Sequence, residues 1–176
     1  MLHAKSFGIG IGIIVGLIIS IFVIKALNKD GKFKTEYDEM QQLSRGKGYK
    51  YGFWSILAYE ALMCVLTSDE AFVLPFSNFD LHFIAVMVGV LVQVTYCIWA
   101  NAYIGLNTNP GRFAAFCVGI SIFNFVIAFA AIANGNMVTD GKLQDPFMNL
   151  IVGILFIIIG VELFIKHIVD GTAKEE

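Results

Sequence analysis

The chain has 176 residues, 57% of them hydrophobic and 15% charged, with a mean hydropathy of +0.74 and a formal net charge of −2. This is too apolar for a soluble domain, whose surface must be largely polar, and it predicts an all-α integral membrane protein held in a lipid bilayer. The only basic region is one short loop beside a predicted span, which leaves no module for extensive nucleic-acid recognition.

Five apolar segments stand out, at 6–27, 51–67, 81–104, 113–134 and 147–168, each close to the ~20 residues that cross a bilayer as a helix. Basic residues orient them. Lys25, Lys29, Lys32, Lys34, Arg45, Lys47, Lys50, Arg112, Lys166 and Lys174 fall on one side of this five-span arrangement, and only Lys5 and Lys142 on the other. The positive-inside rule then puts the N-terminus outside and the C-terminus in the cytoplasm. The first segment reads as a signal anchor, because its apolar run is longer than a cleavable core and no small-x-small cleavage pattern follows it. Cys64, Cys97 and Cys117 all lie within spans and form no CxxC pair, so they read as small packing residues.

Gly8, Gly12, Gly16 and Ser20 recur every four residues along the first span, with Ala4 extending the line. In lipid, apolar surface alone drives no association, and a strip of small residues lets another backbone approach closely. This face is expected to pack against another copy, another membrane protein or an internal helix.

The loop 28–50 is expected on the cytoplasmic side, with Thr35 and Asp38 as a capping box that opens a short surface helix through Glu36, Tyr37, Met40 and Leu43. The second span follows a basic and aromatic run. Arg45, Lys47 and Lys50 suit lipid headgroups, and Tyr49, Tyr51, Phe53 and Trp54 suit the interfacial belt. The residues Asp38 to Phe53, DEMQQLSRGKGYKYGF, resemble a segment of small multi-pass membrane proteins of low-GC Gram-positive bacteria. The resemblance implies a bacterial cytoplasmic (plasma) membrane setting and carries no activity with it.

Glu60 follows about ten residues into the second span, a depth of ~15 Å that places a carboxyl near the middle of the hydrocarbon core. Gln93 and Asn124 lie at a similar depth when counted from the ends of their own spans. An acid at that level is costly unless neutral, paired or hydrated, so the three side chains are expected to share a midplane polar layer, with Glu60 neutral and bonded to Gln93, Asn124 or a trapped water.

Between the second and third spans, Asp69, Glu70, Asp80 and His82 surround an apolar AFVLPF patch, and Pro75 breaks any helix there. No recognised ligand spacing occurs, so an acidic loop is expected and no metal, although the second span could extend into this stretch. The third span carries Ala85, Gly89, Gln93, Cys97, Asn101 and Gly105, and the fourth Ala114, Cys117, Ser121, Asn124, Ala128 and Ala131. These stripes predict that the third and fourth helices meet as antiparallel neighbours. In the fifth span Glu162 stands four residues before Lys166, which predicts a snorkelling salt pair.

HExxH, P-loop and GxSxG motifs and paired catalytic acids are all missing. The expectation is therefore a non-enzymatic protein with no catalytic residue and no cofactor. It would pack through the first helix as a homo-oligomer or as a subunit of a membrane complex. A small-solute or proton-coupled transporter using Glu60, Gln93 and Asn124 is the alternative.

Overall fold

The computed structural model describes residues 2–68 and 74–172. These form five helices: α1 (Leu2–Leu27), α2 (Glu39–Thr67), α3 (Asn78–Trp99), α4 (Pro110–Ala133) and α5 (Pro146–Thr172). Within the described residues, α1, α3, α4 and α5 are each long and apolar enough to cross a membrane. The shorter apolar run of α2 also carries Glu60.

The helix boundaries follow from local chemistry. Asp38 caps α2: its carboxylate accepts from the Gln41 amide at 2.7 Å, and the Gln41 side chain accepts from the Asp38 backbone at 3.3 Å. The capping box is therefore Asp38 with Gln41, not Thr35 with Asp38. It opens one helix that runs unbroken to Thr67, in place of a surface helix followed by a separate span beginning at 51. A run of 29 residues is ~44 Å long, so the charged first turns extend beyond a ~30 Å hydrocarbon core. Ser77 and Asp80 form the equivalent box for α3. Asp80 is thus a buried capping residue; Asp69 and Glu70 lie outside the described residues. Asn101, in the left-handed region at φ 55°, turns the chain out of α3, five positions before Leu106 and short of the expected end at 104. Asn109 caps α4, with Pro110 preset for the first turn.

Across the bundle the helices lie in the order α2, α3, α5, α4. This corrects the expected pairing of α3 with α4, because α5 lies between them. The two small-residue stripes are real, but each meets a different partner. On α3, Gly89 and Cys97 face glycines of α2: a Cβ on Gly52 would stand 2.7 Å from the Gly89 carbonyl oxygen, and one on Gly48 would stand 2.7 Å from Cys97 Sγ. Only glycine permits backbones this close. On α4, Ser121 donates its hydroxyl to the Gly153 carbonyl of α5 at 3.0 Å. Val94 and Ile98, Cys117, and Leu155 and Ile159 complete a core shared by α3, α4 and α5. Asn101 and Gly105, read as the end of the α3 stripe, belong to the loop that carries the chain past α5 to α4.

A two-stranded hairpin, β1 (Val138–Thr139) and β2 (Lys142–Leu143), joins α4 to α5. Its turn residues Asp140 and Gly141 both have positive φ, the Asp-Gly arrangement that matches strand twist. Leu143 donates to the Pro75 carbonyl at 2.9 Å, and Phe76 packs on Phe147, which ties the hairpin to the approach to α3. One end of the bundle thus carries the hairpin. The opposite end carries the α1–α2 connection.

Candidate functional site

Helix α1 stands apart from the other four. None of its span is buried within the molecule, and a Cβ on Gly8, Gly12 or Gly16 would meet no atom within 4 Å. Ser20, next on the strip, is exposed and donates its hydroxyl to its own helix at the Leu17 carbonyl, 2.7 Å away. The internal helix considered as a partner for this strip is therefore absent among the described residues.

What holds α1 is a polar clasp at its C-terminal end. Asn28, Asn107 and Thr108 are buried, with 1%, 9% and 6% exposure. The backbones of Asn28 and Thr108 bridge: Lys29 donates to the Asn107 carbonyl at 2.7 Å, and Asn109 donates to the Leu27 carbonyl at 2.9 Å. Thr108 gives its hydroxyl to Asn28 Oδ1, while the Asn28 amide donates to the carbonyls of Lys32 and Lys34. Asn107 mirrors it, accepting from the Glu36 amide and donating to Asp30 and to Lys34. Buried amides that satisfy this many backbone groups leave few alternative arrangements for the connection. Arg112 reaches the Ala26 carbonyl, and the start of α2 joins through Gln41 to Asn101 and Ile104 and through Arg45 to Ala102. Ring contacts add to this: Arg45 stacks 4.0 Å over Tyr37, and Phe33 packs against Phe22 beneath Lys25.

Charge supports the same connection. The Asn107 amide, and after it the Lys32 backbone N–H, hold the Asp30 carboxyl below its ordinary range. A hydrogen bond to Glu36 is the main cause holding the Lys32 ammonium above its own. Burial raises the phenols of Tyr37 and Tyr103.

The residues expected to form a midplane layer lie in three different places. Glu60 accepts from or donates to His82 Nδ1 at 2.9 Å, near the hairpin end of the α2–α3 contact. Gln93 lies three turns further along α3, with its Cβ side toward Gly52. Asn124 is on α4, which packs on α5, and donates to its own helix at the Ile120 carbonyl, 2.9 Å away. Depth counted from apolar boundaries failed because α2 begins twelve positions before the expected span. Glu60 is therefore close to the end of its helix and level with the first turns of α3.

Glu162 also departs from expectation. Lys166 bonds Asp170, one turn further on, and not Glu162. Glu162 instead turns into the α3–α5 seam, where Thr95 donates to its Oε1 at 2.8 Å. Next to this, at the clasp end, a pocket of ≈ 530 Å³ opens between α3, α4 and α5, lined by Ile98, Tyr103, Phe164 and Lys166 among others.

No family model, curated protein or solved structure matches the chain.

Proposed function

We propose that this is a non-enzymatic, multi-pass protein of a bacterial cytoplasmic membrane, and that it self-associates through the small-residue face of α1. The carrying observation is that α2 to α5 pack on one another, while Gly8, Gly12 and Gly16 face nothing among the described residues. A free strip at four-residue spacing suits a closely crossed pair of identical helices. The clasp gives this helix a fixed root, so a partner bound to α1 is held at a defined place beside the bundle.

In this reading all five helices cross the bilayer, with the N-terminus outside. Lys25, Lys29, Lys32, Lys34, Arg45, Lys47, Arg112 and Lys166 gather at the clasp end, which supports placing that end at the cytoplasm. A carrier built around Glu60 draws less support, since the amides of Gln93 and Asn124 lie elsewhere.

Disulfide crosslinking of Gly12→Cys in membranes, with exposed Cys64 replaced by alanine, tests the pairing. A dimer formed at position 12 and missing for a cysteine at Ile14 supports it. Equal crosslinking at both positions would indicate chance collision.

A further inference from the structure

We infer that Glu162 and Thr95 form a proton-binding site inside the membrane, with the proton carried on Glu162 Oε2 and the Thr95 hydroxyl holding Oε1. Glu162 lies a little past the middle of the 27-residue α5, ~15 Å from its end, within reach of the hydrocarbon core. Its Oε1 accepts from Thr95 at 2.8 Å, whereas Oε2 is the one buried side-chain oxygen among the described residues with no partner. An ionised carboxylate with half its acceptor capacity unmet is far more costly in lipid than the neutral acid.

Among the described residues no basic side chain bonds to Glu162. On α5 itself, Lys166 is occupied by Asp170, and His167 lines the pocket at the clasp end. Helix α3 contains no lysine or arginine; its His82 is held by Glu60 at the opposite end, and its Tyr96 stacks on Tyr51 of α2. On α4, Arg112 reaches the Ala26 carbonyl. A bound proton neutralises the carboxyl without one.

The surroundings differ along the seam. Towards the hairpin end, the α3–α5 seam continues as a groove of about 160 Å³ lined only by apolar residues, including Leu91 and Ile158 one turn from the pair. Towards the clasp end, Gly160, Leu163 and Lys166, which flank Glu162 in sequence, line the ≈ 530 Å³ pocket. This site is separate from the α1 face, so either proposal can fail without the other.

The full chain in lipid vesicles, treated with a hydrophobic carbodiimide and mapped by peptide mass, tests the site. The O–H of a protonated carboxyl adds across one C=N bond, its proton moves to nitrogen, and the adduct rearranges to an N-acylurea, so the residue gains the whole reagent and nothing leaves. The expected result is an adduct on Glu162 that declines as pH rises and is missing in Glu162→Gln. Thr95→Val, which removes the hydroxyl donor to Oε1 and keeps the shape, should extend labelling to higher pH. Labelling of Glu60 with none on Glu162, or a Glu162 adduct that ignores pH, would overturn the proposal. Protection by added sodium at constant pH would also overturn it, by assigning the oxygen to a metal cation.

Discussion

Thr108 donates its hydroxyl to Asn28 at 3.0 Å across 80 positions of sequence, joining the end of α1 to the loop that leads into α4. Around this bond the connection between α1 and α2 is folded on the α3–α4 loop, and it fixes where α1 stands beside the bundle. The clasp is therefore where the stability of the α1 attachment is expected to reside.

Asn107→Ala would leave the Glu36 amide without its partner and take one donor each from the Lys34 carbonyl, which keeps Asn28, and from Asp30, which keeps Lys32. One part-buried donor left unsatisfied costs about 1–3 kcal/mol, so a loss of that order is expected in thermal or denaturant unfolding in micelles. Lys29→Ala, which alters only an exposed side chain beside the same bonds, should cost under about 0.5 kcal/mol.

The clasp should also loosen in acid. Because the folded-state Asp30 carboxyl is held below its ordinary range, its contribution is complete above that range and is lost as pH falls through the depressed value. Amide exchange at Lys29, Leu106 and Asn109, corrected for intrinsic rates, should accelerate on acidification in the native chain. In Asp30→Asn it should be faster at neutral pH and change little with acid. Lys32 has the opposite sign: held above its ordinary value, it keeps its ion pairs until strongly alkaline pH.

Two glycine faces that look alike in sequence should respond differently. Gly52→Ala places a methyl 2.7 Å from the Gly89 carbonyl oxygen, a backbone atom that cannot swing aside, so overpacking of about 1–3 kcal/mol is expected in unfolding measurements. Gly12→Ala meets open space and should leave the fold of the single chain unchanged or slightly firmer.

The helical class and the approximate extents of α1, α4 and α5 could be read from apolar periodicity and length, as could the stripes on α3 and α4. Their partners could not, because a small-residue stripe specifies close approach without naming the helix that approaches. Gly48 and Gly52 sat within a basic and aromatic run whose charges argued for a headgroup segment, which hid their role against α3. The clasp was missed for a similar reason: Asn28, Asn107 and Thr108 are common loop residues, and only their 80-position juxtaposition makes them a buried network. Asp140-Gly141 was a usable hairpin signal. Glu162 was assigned to Lys166 by its i,i+4 spacing, although Asp170 stands at the same spacing on the other side of that lysine.

Orientation follows from labelling with a membrane-impermeant maleimide in a Cys64→Ala background. Asn28 is too buried for a reporter, whereas Lys47 and Lys142 are exposed at opposite ends of the bundle. Lys142→Cys should label in intact cells and Lys47→Cys only after permeabilisation; the reverse pattern would invert the topology.

Self-association through α1 is tested most directly by energy transfer between donor- and acceptor-labelled chains in vesicles, titrated by dilution with lipid. The native chain should show transfer that dissociates along a binding curve, and Gly12→Leu and Gly16→Leu should weaken it at least about tenfold, or about 1.4 kcal/mol, while the bundle stays folded. Curves that superimpose for the native chain and both leucine variants would contradict the account.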